Sequence, residues 1–262
     1  MLRAFSTAAT GMSAQQTMVD VTANNLANIN TNGFKRSQID FQDLLYVRLK
    51  EFGSEVEAGV VSPTGTEVGS GVRVAGTVKV FTGGELVSTN RNLDVAIAGE
   101  GFLQVSMSDG STRYTRDGAL LNGPEGQLAT ISGHLIDPPI TIPTDAVGVT
   151  IGKNGSVNVR DENGDMTVAG TIQLARFSNP SGLASEGDNL LSETEASGTP
   201  TFGDPGDSGY GSIQSGFLEK SNVQMVTELV NLITAQRAYE VCSRTIKAGD
   251  DMLRTAIQSA GM

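Results

Sequence analysis

The sequence predicts an α+β protein: N- and C-terminal helices pairing as a coiled-coil-like module, a central all-β antiparallel domain, and an irregular connecting region. Three observations carry that expectation. Apolar residues recur at heptad spacing near both ends, the middle alternates with period two, and Asn-Gly and Asp-Gly pairs punctuate the alternating stretches.

At the N-terminus, Leu2, Phe5, Ala9, Met12, Gln16, Val19, Ala23 and Leu26 follow one another at steps of three or four, a seam broken only by Gln16. The polar face of this helix carries Ser, Thr, Gln and Asn rather than charge, which suits contact with protein all round. Five asparagines then crowd residues 24–32: Asn24, Asn25, Asn28, Asn30 and Asn32. Asparagine tolerates the left-handed conformation and bonds nearby backbone, so the helix should stop here and the chain turn outward, most sharply at Asn32-Gly33. Phe34 is placed to anchor the chain beyond the turn.

The middle reads as strands. Val72/Val74, Val78/Val80, Leu93/Val95/Ile97, Leu103/Val105/Met107, Val147/Val149/Ile151, Val157/Val159 and Ile172/Leu174 alternate with period two. Hairpin signals sit among them, "DG" at 109–110 and 117–118 and "NG" at 122–123, 154–155 and 163–164. Many short strands with tight turns indicate an antiparallel barrel or sandwich. Residues 55–71 read as a loop into this domain, and "EASGTPTFGDPGDSGYGS" (195–212) as the linker out of it.

At the C-terminus, Met225, Leu229, Leu232, Tyr239, Cys242, Ile246, Leu253, Ile257 and Ala260 form a second, looser seam. Ser221-Asn222 is placed to cap it, and Gly249 should weaken its middle. The resulting division is 1–30 with 222–262 as a helical module, 31–71 with 207–221 as a connecting region, and 72–206 as a β-rich domain. One apolar stripe per helix does not offset the cost of ordering it, so the termini are expected to be disordered in a monomer and helical in an assembly.

Net charge is −11, which argues against nucleic acid as a partner, since phosphate binding needs a basic surface. Removing the +1 of residues 1–35 and the 0 of residues 221–262 from −11 leaves −12 on residues 36–220. The ends are neutral and the middle is acidic. No run is long and apolar enough for a membrane span, and "STAATGMSAQQT" is too polar for a signal sequence, which taken alone points to the cytoplasm.

Catalytic constellations are missing from the pattern. His134 is the sole histidine, which excludes histidine-based triads and multi-histidine metal sites. The lone Cys242 lies on the apolar seam, where a small buried residue is expected rather than a nucleophile. "DENGDM" (161–166) places its glycine fourth and Ile172 twelfth, unlike a calcium loop. "GEGFLQ" (99–104) lacks the third glycine of a dinucleotide site. No catalytic, cofactor or metal residue is assigned.

"ANNLANINTNGFKRS" (23–37) followed by "FQDLLY" (41–46) resembles the signature of bacterial flagellar rod and hook proteins. "LDVAIAGEGFLQV" (93–105), "YTRDGAL" (114–120), "GQLAT" (126–130) and "ITIP" (140–143) resemble that family's β domain. "GFLEKSNVQMVTELVNLITAQRAYEVCSRTIKAGDDMLR" (216–254) resembles its C-terminal helix. The likeness covers essentially the whole chain in order. Length and the "YTRDGAL" region favour the distal-rod type, with the outermost proximal-rod paralogue as the near rival. The segment 47–71 departs from the family pattern, and in this family that region separates straight rod from bendable hook.

The resemblance implies a structural subunit, without enzymatic activity or cofactor, that polymerises helically into a hollow drive shaft across the periplasm. Implied partners are identical subunits, proximal rod proteins, the hook protein, the peptidoglycan-associated and outer-membrane rings, and the flagellar type III export apparatus, which exports without a cleaved signal peptide. No direct membrane insertion is implied. The expected assembly residues are Leu2, Phe5, Met12, Val19, Leu26, Leu229, Leu232, Tyr239, Ile246 and Leu253 on the seams, with Asn24, Asn25 and Asn28 bridging subunits at the junction. Two rival classes are a periplasmic enzyme acting on the cell wall and a secreted binding module.

Overall fold

The computed structural model describes residues 2–52, 55–57, 60–61, 64–162 and 164–260. They divide into two compact units, one of Met1–Leu26, Ser37–Val78 and Met225–Met262, the other of Ala27–Arg36 and Lys79–Gln224. Two terminal helices bracket a β-rich middle whose registered strand pairs are all antiparallel.

In the first unit, α1 (Leu2–Ala27) and α2 (Met225–Ala260) run antiparallel. Asn25 meets Glu228 near one end, Gly11 faces Cys242, and Phe5 packs on Gly249 near the other. Gly249 is buried, and a Cβ there would lie 2.7 Å from the Phe5 ring, so the residue that should weaken the helix is the one that admits its neighbour. The expected cap is not made. Ser221 Oγ accepts from Val223 N, and Asn222 bonds elsewhere. Strand Ser37–Asp43 pairs with Val72–Lys79, and Val47–Lys50 pairs with Thr66–Val68, so part of the expected entry loop is paired strand.

In the second unit, a nine-stranded sheet is built around strand Phe102–Ser106, which pairs with Thr112–Thr115 on one side and with Leu135–Ile136 and Leu174–Arg176 on the other. A three-stranded meander, Ala146–Ile151, Ser156–Asp161 and Met166–Thr171, stands beside it. Leu103, Val105, Leu120, Leu128, Ile136, Val157, Ile172 and Leu174 fill the main core. Phe102 points to the opposite face of its strand and joins Phe177 and Tyr114 in a second cluster with edge-to-face rings.

The turn signals divide. Asp109-Gly110 and Asn154-Gly155 close hairpins, their glycines at φ 81° in both cases. Gly164 closes the next turn, with Asn163 outside the described residues. Asp117-Gly118 is not a hairpin: a Cβ on Gly118 would fall 1.7 Å from the Val95 carbonyl oxygen, so glycine here serves a close strand approach.

The expected linker at 195–212 is instead part of the fold. Thr201–Gly203 pairs with Leu174–Arg176, and Ser212–Ser215 pairs with Val95–Ala98. Ser197 is fully buried, and Gly203 lies under the Tyr210 ring. Composition misleads here because glycine and serine supply tight packing and backbone pairing as well as slack. Among the described residues, no helix is long and apolar enough to cross a membrane.

Candidate assembly site

On α1, Phe5, Met12, Val19 and Leu26 are half-buried, while Ala9, Gln16 and Ala23 of the same expected seam are exposed. The most buried positions are Ala8, Ala14, Thr22 and Asn25. On α2, Leu232, Cys242, Ile246 and Leu253 are half-buried, and Glu228, Ala235 and Gly249 lie deepest. Together with Tyr239 these α2 residues step 4, 3, 4, 3, 4, 3, 4, so the inward stripe is a heptad of small, polar and apolar residues. Leu229 at 39% and Tyr239 at 37% exposure face outward or sit at the stripe's edge. Met225, Val226, Val230, Ile233 and Val241 are exposed as well. Leu2 belongs to α1, but its side chain is outside the described set.

The junction asparagines separate in role. Asn25 is buried and its amide is used twice on one residue: Nδ2 donates to Ser37 O at 2.8 Å and Oδ1 accepts from Ser37 N at 2.9 Å. That pair staples the end of α1 to the start of strand Ser37–Asp43 within one chain. Asn28 Oδ1 accepts from Thr31 Oγ1, shaping the turn after the helix, and Asn24 is exposed.

In the second unit the motif segments meet at a buried carboxylate that sequence reasoning passed over. Glu219 is 1% exposed; its Oε1 accepts from Lys35 Nζ at 2.6 Å and Gly84 N at 2.8 Å, and its Oε2 from Arg116 Nη1 at 3.2 Å. Lys35 Nζ also donates to Thr82 O at 2.7 Å, and Arg116 Nη2 to Gly99 O at 2.7 Å. The Arg116 guanidinium lies over the Phe102 ring, 5.3 Å from its centroid. Burial pulls the Lys35 ammonium below its ordinary value, opposed by Glu219, and acts on Arg116 in the same direction with the same opposition.

Backbone and amide bonds lace the same segments. Gly33 N donates to Glu219 O at 2.8 Å, Arg36 N to Asn222 Oδ1 at 2.8 Å, and Asn222 Nδ2 to Val80 O at 2.8 Å. Asn189 Nδ2 bridges Asn32 O and Asp117 Oδ2, and burial raises the Asp117 carboxyl above its usual range. The signal in the sequence was a charged residue inside each motif: Lys35 in "NTNGFK", Arg116 beside Asp117 in "YTRDGAL", and Glu219 beside Lys220 in "GFLEKSN".

Nothing in this arrangement pairs a nucleophile with a base. His134 sits in the turn joining Leu128–Thr130 to Leu135–Ile136, and Cys242 packs toward Gly11. No group of three or more metal-ligating side chains is found among the described residues.

Three family models match the chain in order. They are a flagella basal body rod protein model over residues 5–35, a flagellar hook protein FlgE/F/G D1 domain over 96–159, and a flagellar basal body rod FlgEFG protein C-terminal model over 214–259. Paired terminal helices around a matched β domain define the rod and hook class of flagellar proteins. Among curated relatives, the flagellar basal-body rod protein FlgG of Agrobacterium fabrum is 46% identical over 253 residues, covering 96% of this chain and 97% of the relative. The protein of that name from Buchnera aphidicola is 45% identical over 255 residues, 97% and 98% of the two chains. That from Caulobacter vibrioides is 44% identical over 259 residues, 98% and 99%. The chain belongs to the flagellar basal-body rod protein family, as a structural subunit of the flagellar basal body. The family is a structural one, and its membership supports self-assembly and association with other rod and hook components.

Proposed function

We propose that this subunit is of the distal-rod type and polymerises helically into a hollow, rigid shaft that carries torque across the periplasm to the hook. In this reading residues 1–30 and 222–262 form the inner tube around the export channel, pairing as a coiled-coil-like module. Residues 31–71 and 207–221 connect, and 72–206 form the outer β domain. The chain then has no enzymatic role. Its neighbours are copies of itself, proximal rod proteins, the hook protein and the peptidoglycan-associated and outer-membrane rings, and it is delivered by the flagellar type III export apparatus.

The observation that carries the reading is the unpartnered apolar face of α2. Met225, Val226, Leu229, Val230 and Ile233 are all exposed within nine residues, Val226 at 75%. A contiguous apolar stripe of this kind marks a protein contact surface, and the family's self-assembly supports other copies as its cover. Leu229 and Tyr239 then meet a neighbouring subunit, as do Asn24 and Asn28. Phe5, Met12, Val19, Leu26, Leu232, Ile246 and Leu253 set the helix pair that presents them, with Leu2 at its start. Asn25 serves within its own chain.

Leu229→Asp tests this. Burying an unpaired carboxylate costs several kcal/mol at an interface, so complementation of a rod-deficient strain is expected to fail while the isolated protein keeps its β-sheet circular dichroism. Normal basal bodies built from the variant would remove α2's outer face from the interface.

A further inference from the structure

Three sequence motifs, far apart in the chain, each send one charged side chain to the same buried point. Lys35 and Glu219 are separated by 184 positions and Arg116 and Glu219 by 103. Lys35 lies in the segment that follows α1, and Glu219 ends strand Phe217–Glu219, ahead of α2. Exposures of 2%, 6% and 1% for Lys35, Arg116 and Glu219 leave no room for a ligand to reach the carboxylate. The cluster therefore acts on the fold itself.

We propose that Lys35, Arg116 and Glu219 are positioning residues that hold the entry segment 31–36 and the exit segment 217–222 in one fixed geometry against the β unit. The inference rests on the rod-subunit reading, because a stiff polymer is what needs these two segments not to slide.

Apolar packing alone would let two adjacent segments shift at small cost. A carboxylate held by Lys35 Nζ, Gly84 N and Arg116 Nη1 does not permit this, since any displacement strands a charge out of water. Arg116 ties the carboxylate to the sheet through Gly99 O, and Lys35 ties it to Thr82 O. The segments are also bonded directly, Gly33 N to Glu219 O and Arg36 N to Asn222 Oδ1. Lys35 and Arg116 bring two positive charges to one negative one, so Glu219 is the member whose loss leaves both others unbalanced.

The experiment uses Glu219→Gln in the full chain. Amides of 31–36 and 217–222 are expected to exchange with solvent at least about tenfold faster, the loss of one charged buried hydrogen bond. Amides of strand Phe102–Ser106 should stay near wild-type rates, as a locally opened segment leaves the rest of the unit protected. In cells the variant should build short or bent rods. Lys35→Met, which keeps the Arg116–Glu219 pair, should give the same local pattern at lower amplitude and serves if Glu219→Gln does not fold. Arg116→Lys keeps the charge beside Glu219 but loses the fork to Gly99 O and the stack on Phe102, so it should loosen both segments less than Glu219→Gln does. Unchanged exchange in both segments overturns the proposal, as does uniformly faster exchange across the unit, which would make the cluster a stability element only. Straight, full-length rods despite loosened segments would also overturn it. Failure of the wild-type chain to restore rods in a rod-deficient strain would instead defeat the rod-subunit reading, with the exchange result unaffected.

Discussion

Gly33 carries two constraints at once. Its φ of 68° is left-handed, and a Cβ would lie 2.6 Å from the Arg116 carbonyl carbon and 2.7 Å from Asp117 N. These are backbone atoms of the segment that follows strand Thr112–Thr115, where Arg116 is buried, so they cannot swing aside as the end of a flexible side chain could. Gly110 has a similar φ of 81° but nothing within 4 Å. Gly110→Ala should therefore cost about 1 kcal/mol, the left-handed penalty alone. Gly33→Ala should cost about 3 kcal/mol or more, because steric displacement is added to that penalty. Urea unfolding of the two variants checks the difference; equal midpoints would mean that the Arg116 backbone yields. The role of Asn32-Gly33 as a turn is legible from the dipeptide. The clash that makes glycine obligatory is not, since Arg116 stands far along the chain.

At the scale of elements, periodicity reads well where one face is simply apolar and poorly where it is mixed. The alternation of Leu103 with Val105 and of Val157 with Val159 marks strands whose alternate residues are fully buried. On the helices the same reasoning finds Leu232, Ile246 and Leu253 but passes over Glu228, Ala235 and Gly249, because it seeks large apolar groups. Small residues bury more completely here since they let the partner helix come close. The antiparallel register makes a specific prediction. A Cβ on Gly11 would lie 3.2 Å from Cys242 Sγ, within reach of disulfide geometry. Gly11→Cys, with Cys242 as the chain's only native cysteine, should form an intramolecular disulfide under mild oxidation. Non-reducing electrophoresis and intact mass would show a monomer two hydrogens lighter. Exclusive formation of disulfide-linked dimers would place the contact between chains rather than within one.

For the whole molecule, charge and apolar surface are partitioned along the sequence. Residues 36–220 carry −12, whereas 1–35 and 221–262 are nearly neutral and contain the exposed stripe of α2. In the proposed reading, polymerisation through the helices brings the acidic middles of neighbouring subunits closer than they are between free chains. That repulsion is screened by salt, with a Debye length falling from about 30 Å at about 0.01 M to about 8 Å at about 0.15 M. Apolar contacts between helices do not weaken over that range. Self-association of the purified chain, followed by sedimentation or light scattering, is accordingly expected to increase as salt rises through this interval. A polymer held by ion pairs between subunits would behave in the opposite way and dissolve. The exposed pairs of α2, Arg244 with Glu240 and Arg254 with Asp250, are satisfied within their own helix at four-residue spacing. They are therefore not reserved for a neighbour, and in the proposed reading the apolar stripe is the attractive element and the acidic middle the opposing one.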